Sequence, residues 1–284
     1  MDDLTTEDGA RPAHEDAPPR EPGAEPDAPA AARAALAWRV GGASVRGTGH
    51  VAAGLPCQDA HAVAVTRDAQ EREWLVAVVS DGAGSARHAD TASRAACDFV
   101  LARVEYLLCS DGADPRDLDA VGLVRDAAAH LAALAEDAGS SAREYACTLL
   151  LALAGRDACL FVQVGDGVIV HDDADGRLRA AFWPDGGEYA NETHFITDAP
   201  PSHVHVRLVP YAVRHVALLS DGLQMLCLNY GARTVHAPFF APFFQALATN
   251  ERAAFEHALA NTLSGPRVSA RTDDDKTFLL ALRA

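Results

Sequence analysis

The chain has 284 residues, 49% of them apolar, which is enough for one large domain with a sizeable core. Its formal net charge of -16 argues against nucleic acid, whose phosphates it would repel, and against anionic membrane surfaces. The same acidity leaves room for a site that gathers metal cations.

Residues 1–35 read as a disordered, acidic, Pro-rich tail, and 36–284 as the folded domain. The first 30 residues hold nine acidic and two basic side chains, with Pro12, Pro18, Pro19, Pro22, Pro26 and Pro29 interspersed. Such a stretch has little apolar surface to bury. No apolar leader opens the chain, and no apolar run reaches the roughly 18 residues of a membrane span. Six cysteines are scattered without a CxxC pair. They read as reduced thiols in a cytoplasmic protein. Lys276 is the only lysine.

Order is expected from Leu36, with a strand over Trp38–Val45, a turn over Arg46–His50 and a strand over His61–Val65. The stretch Leu75-Val76-Ala77-Val78-Val79-Ser80-Asp81-Gly82-Ala83-Gly84-Ser85 organises the rest. Its unbroken apolar run predicts a buried strand that ends in a carboxylate and a Gly-rich turn. Gly82 lacks a Cβ, so a ligand or metal can come close to the backbone there. Helices are predicted over about Ala89–Leu108 and Leu118–Ala138. Ala92, Ala96, Phe99, Val100 and Val104 share one face of the first.

A β-rich block follows. Cys147–Ala154, Ala158–Val164 and Val168–His171 read as successive antiparallel strands, the last two joined by a hairpin turn at Gly165-Asp166-Gly167. A strand over Leu178–Phe182, a loop over Trp183–Ala190 and short strands at Phe195–Ile196 and Val204–Leu208 come next. His203 and His205 would then share one strand face. Val216-Ala217-Leu218-Leu219-Ser220-Asp221-Gly222 repeats the strand-Ser-Asp-Gly pattern. Helices follow near Leu223–Asn229, Pro238–Ala248 and Arg252–Leu263, and a strand over Thr277–Leu282 closes the chain. Hairpins and grouped helices, without regular βαβ alternation, predict an α+β layered fold.

Acidic motifs stand at strand ends or turns: Gln58-Asp59, Asp81-Gly82, Asp166, Asp221-Gly222 and Asp273-Asp274-Asp275. Taken singly, each Asp reads equally as a turn residue or helix N-cap. If several converge, their charges repel until protons or cations neutralise them. An all-oxygen shell suits Mg²⁺ or Mn²⁺. Two such ions could lower the pKa of a bridging water and aim it at phosphorus.

The ordered set resembles the metal-dependent Ser/Thr protein phosphatases of type 2C, the PPM-type family, in a compact bacterial branch. The resemblance runs from about Trp38 to the C-terminus. Val79-Ser80-Asp81-Gly82-Ala83-Gly84-Ser85 is similar to the family's V-x-D-G-x-G-G/S motif. Ala146-Cys147-Thr148-Leu149 takes the place of its G-T-T/S-A strand. Val164-Gly165-Asp166-Gly167 is similar to its V-G-D-S turn. Leu219-Ser220-Asp221-Gly222-Leu223 is similar to L-x-S-D-G-L, and Asp274-Asp275-Lys276-Thr277 to D-N-x-T/S.

The resemblance implies a four-layer αββα sandwich of two antiparallel sheets. It implies metal ligands at Asp59, Asp81, the Gly82 carbonyl, Asp221 and Asp274, holding two Mg²⁺ or Mn²⁺ ions. Asp166 is the candidate for a third, weaker site. The implied reaction is hydrolysis of phosphoserine or phosphothreonine in proteins, by a metal-bridged hydroxide. The partner would be a phosphoprotein made by a Ser/Thr kinase.

Two departures matter most. Gly54 stands where many members carry a phosphate-contacting Arg. Arg46 could replace it, with His50 as proton donor to the leaving alkoxide. Gly167 and Val168 replace the usual Ser-Arg. The segment Gly186–Thr193, with Asn191 as candidate substrate contact, takes the place of a variable flap. The missing Arg and the altered turn leave open a pseudophosphatase used as a binding or regulatory module; a third reading is a metal phosphohydrolase acting on a small molecule or nucleotide.

Overall fold

A computed structural model describes residues 38–110, 114–184 and 193–283. The predicted tail over 1–35, Asn191 and most of the predicted flap lie outside the described residues. The first half runs β1 (Trp38–Val45), α1 (Thr48–Ala53), β2 (Asp59–Arg67), β3 (Glu73–Asp81), α2 (Ala89–Ser110), α3 (Ala120–Asp137), β4 (Leu149–Ala154) and β5 (Cys159–Val164). The second runs β6 (Val168–Asp172), β7 (Leu178–Ala180), β8 (His205–Val209), β9 (His215–Leu219), α4 (Gln224–Cys227), β10 (Leu228–Asn229), β11 (Thr234–Val235), α5 (Ala237–Thr249), α6 (Arg252–Leu263), α7 (Pro266–Ser269) and β12 (Lys276–Arg283).

Two five-stranded sheets carry the fold, ordered β1-β12-β9-β6-β7 and β2-β3-β4-β5-β8. Every pairing within them is antiparallel. Their inner faces share one core: Leu75, Ala77, Val79, Leu150 and Phe161 from one sheet meet Ile169, Val216, Leu218 and Leu279 from the other. On one outer face Val76, Val78, Leu151 and Leu153 pack under Ala92, Ala96, Val100, Val104, Ala127 and Leu131 of α2 and α3. On the other, Val170, Ala217, Leu219 and Phe278 pack under Phe240, Phe244, Phe255 and Leu259 of α5 and α6. The result is the predicted four-layer αββα sandwich. It also explains the apolar run of β3, which is covered by helices on one side and by the second sheet on the other, so neither face tolerates polar residues.

Several local expectations change. Gly165-Asp166-Gly167 is not a hairpin turn: β5 pairs with β4 and β8, whereas β6 pairs with β7 and β9. The three residues carry the chain from one sheet to the other, with Gly165 at φ 98°. The predicted turn at Arg46–His50 runs into helix α1 from Thr48. Phe195–Ile196 is no strand, because Ile196 N–H donates to the Cys147 carbonyl at the start of a turn. His203 sits in a 3-10 turn with its ring 3.7 Å from that of His194 and tilted by 35°, so it shares no strand face with His205. All six cysteines are free thiols.

Candidate metal centre

Both sheets end at a common edge, and the acidic motifs are strung along it. Asp59, the first residue of β2, is the cross-strand partner of Asp81, the last residue of β3. Asp221 opens a 3-10 turn just beyond β9, and Asp274 precedes β12, the neighbour of β9. Asp166 arrives from the sheet-to-sheet crossing. A cleft of about 170 Å³ is lined by His50, Gln58, Asp81, Asp166, Asp221 and Asp274, with Gly82 and Thr148 also in its wall. Asp59 lies behind Asp81, buried at 4% exposure.

A polar lattice fixes these carboxylates. Ser220 Oγ donates to Asp59 Oδ2 at 2.6 Å, tying the end of one sheet to the start of the other. The same Oγ accepts from Thr277 N–H at 2.8 Å. Thr148 exchanges with Asp81 in both directions: its N–H donates to the Asp81 carbonyl at 2.8 Å, and its Oγ1 accepts from Asp81 N–H at 3.0 Å. Asp275, buried, accepts from Gly47 N–H and Gln58 N–H at 2.6 Å each. Its Oδ2 also lies 2.7 Å from His50 Nδ1, off the line of a hydrogen bond. Gly82 is glycine for a backbone reason: a Cβ there would strike the Ala89 carbonyl. Helix α2 thus approaches the backbone closely there, and Gly82 also stands in the cleft wall.

Crowding decides the charge state. Burial is the main cause that pushes Asp59 up to about 7, even though Ser220 and Asp81 hydrogen bonds pull it back. Burial and the adjacent Asp59 and Asp221 carboxylates raise Asp81 well above the carboxylate range. Burial, then Asp166, raises Asp221 to about 6. Near neutral pH the cluster thus holds protons it would exchange for a cation. Lys276, fully buried, directs its ammonium to the Asp274 carbonyl at 2.9 Å, so it does not cap the cleft.

The donor set fits hard divalent ions. Asp59 Oδ1 and Asp221 Oδ1 are buried without a hydrogen-bond partner. All the acidic groups are oxygen donors, the chemistry of Mg²⁺ and Mn²⁺ sites. Among the described residues no three His, Cys, Asp or Glu side chains stand close enough together to hold a metal ion as they are placed.

Of the residues singled out in the sequence, Asp81, Gly82, Asp166, Asp221, Asp274 and His50 meet in one cleft, with Asp59 directly behind. Arg46 does not line it; its guanidinium donates to the Leu55 carbonyl at 3.1 Å, across the α1 turn. Sequence reasoning passed over Ser220, Thr148 and Asp275 as site-builders. Ser220 carried a signal, since it repeats Ser80 in the second Ser-Asp-Gly. Thr193, which donates to Asp166 Oδ2 at 2.7 Å, was legible only as the last residue of the predicted flap.

Comparison with known proteins agrees with this geometry. Residues 46–264 match the family described as Protein phosphatase 2C. The chain is 36% identical over 253 residues to Serine/threonine-protein phosphatase 3 of Escherichia coli (strain K12), covering 88% of this chain and all of the relative. Among solved structures, Serine/threonine phosphatase Stp1 from Staphylococcus aureus superimposes with a TM-score of 0.55 at 15% identity, over 86% of this chain and 94% of that one. The catalytic domain of the serine threonine protein phosphatase PstP, in complex with 2 manganese ions, does so with a TM-score of 0.53 at 18% identity, over 86% and 97%.

Proposed function

Because the chain belongs to the protein phosphatase 2C family, we propose that it hydrolyses phosphoserine and phosphothreonine esters in proteins with the help of divalent metal ions. One observation carries the proposal: five carboxylates from distant parts of the chain converge on a single sandwich edge, three of them with raised pKa.

Asp59, Asp81, Asp221 and Asp274, with the Gly82 carbonyl, would hold two Mg²⁺ or Mn²⁺ ions, and Asp166 a weaker third. Bound there, the ions would supply Lewis acidity to water and to phosphoryl oxygens. The chain's own contribution is placement. Ser220 and Thr148 hold Asp59 and Asp81 at fixed positions on strand ends, so little reorganisation is needed. His50, held beside Asp275, lines the cleft and would donate a proton to the leaving Ser or Thr oxygen. Arg46 is engaged by Leu55, and a role on substrate phosphate would require it to leave that carbonyl. Asn191 keeps its proposed place as a substrate contact.

The substrates would be products of a Ser/Thr kinase, met in the cytoplasm, where six free thiols stay reduced. The net charge of -16 disfavours nucleic acid and anionic membrane as partners. Among the described residues no helix is long and apolar enough to cross a membrane.

The test is release of phosphate from a phosphothreonine peptide with Mn²⁺, with EDTA, and with Asp81→Asn and Asp221→Asn. Turnover should need the metal and disappear in both variants. Release that persists in EDTA and in both variants would sink the assignment.

A further inference from the structure

A second cavity, of about 240 Å³, shares no lining residue with the cleft at the metal centre, and its wall is basic although the chain is strongly acidic. It lies at the lateral mouth of the sandwich, between the edge strands β7 and β8. Arg179 is the cross-strand partner of His171, and Arg207 of Phe161. Phe161 belongs to the core between the sheets, and His171 stacks on it at 4.8 Å between centroids. Both arginines therefore stand at inner-face positions, where an apolar residue would close the core.

A third arginine, Arg233, reaches the same cavity from the turn between β10 and β11. Its backbone takes φ 50°, a left-handed conformation that glycine or asparagine would adopt more easily. Two of the guanidinium groups rest on aromatic rings: Arg207 lies 5.5 Å from the Phe182 centroid and Arg233 5.6 Å from Trp183. Arg179 is shared with Asp173 at 2.9 Å. The three arginines come from three elements to one concavity, and planar guanidinium groups match carboxylate and phosphoryl oxygens in pairs.

The cavity is also joined to the metal centre. Trp183 packs edge-on against Tyr230 at 5.8 Å, Tyr230 OH donates to Gln224 Oε1 at 2.8 Å, and Gln224 Nε2 donates to the Asp166 carbonyl. A polypeptide in the cleft need cross only this short wall to reach the arginines.

We propose that this cavity is a docking subsite for an acidic stretch of the protein substrate, its carboxylate or phosphoryl groups seated among Arg179, Arg207 and Arg233. The proposal rests on the phosphatase reading for the word substrate, but the binding itself can be tested without turnover. Trp183 lines the cavity, whereas Trp38 and Trp74 are buried in the core, so its emission reports occupancy.

The experiment titrates the full chain with hexaglutamate, hexaglutamine and inorganic phosphate, following tryptophan emission, with Trp183→Phe as the control that silences the signal. Hexaglutamate should bind saturably and more weakly as salt rises, hexaglutamine should not bind, and Arg207→Gln should weaken hexaglutamate binding about tenfold. Arg207 is exposed, so this change spares the core. In parallel, KM for a Glu-flanked phosphopeptide should rise about tenfold in Arg207→Gln, with kcat and the hydrolysis of a small aryl phosphate unchanged.

Hexaglutamate binding that is absent, or equal in wild type and Arg207→Gln, overturns the proposal. So does binding of inorganic phosphate alone, which would make the cavity a small-anion site. Loss of turnover on every phosphopeptide while hexaglutamate still binds would instead count against the phosphatase reading and leave an acidic-peptide site standing.

Discussion

Asp59 and Asp81 face each other directly across two antiparallel strands, the first residue of β2 against the last of β3. Like charges so placed destabilise a sheet. A proton on one member, or a bound divalent ion, would relieve the repulsion, and this makes stability a reporter of the site.

The sign follows from the raised values. Asp59 at about 7 and Asp221 at about 6 favour the protonated, metal-free fold. Their contribution is full below the unfolded value near 4 and is lost as pH rises through about 6 to 7. Metal-free protein should therefore lose stability between pH 5 and pH 8. Mn²⁺ should raise Tm more at pH 8 than at pH 5. Thermal unfolding in EDTA and in Mn²⁺ at both pH values checks this; an equal rise at both would refute the coupling.

Asp59→Asn removes the buried charge while keeping an oxygen for Ser220. At pH 8 the metal-free variant should be more stable than wild type, by about 1–2 kcal/mol. It should also lose the Mn²⁺-dependent rise. Urea denaturation with and without Mn²⁺ reads both effects.

Ser220→Ala breaks the link between the sheets and leaves Thr277 N–H without its acceptor. A buried unpaired donor costs about 1–3 kcal/mol. Activity should fall as well, because Asp59 loses the group that orients it. Retention of wild-type stability would show that the serine bridge is dispensable.

Asp172 gives the opposite pH sign, far from the cleft. Burial would raise it, but the His215 side chain, 3.6 Å away, and the N–H groups of His215 and Arg214, at 2.8 Å each, hold it below the usual range. Its contribution is present above pH about 4 and is lost as pH falls through the folded value. Asp172→Asn should cost about 1 kcal/mol at pH 7 and progressively less in acid. Denaturation at pH 7 and pH 3 would show the gap closing.

His50→Gln separates proton donation from metal holding. Turnover of a phosphothreonine peptide, whose alkoxide leaves poorly, should fall about 10²-fold or more, whereas an aryl phosphate with a good leaving group should be little affected. An equal loss on both substrates would point to a structural role beside Asp275.

The long strands, the long helices and the acidic strand ends were legible in the sequence, because these depend on local period and on residues a few positions apart. An unbroken run such as Leu75–Val79 is a buried strand wherever it packs, and the Asp that follows it is carried on a rigid end. What only the tertiary structure decided was partnership across distance. Gly165-Asp166-Gly167 looks like a hairpin locally, yet β6 pairs with β9, fifty residues downstream in the chain, because the apolar faces of two sheets had to meet. Asp274 and Asp275 are alike as letters, but Asp274 lines the cleft while Asp275 is buried against Gly47 and Gln58. No local pattern distinguishes two neighbouring aspartates whose roles are set by groups far off in the chain.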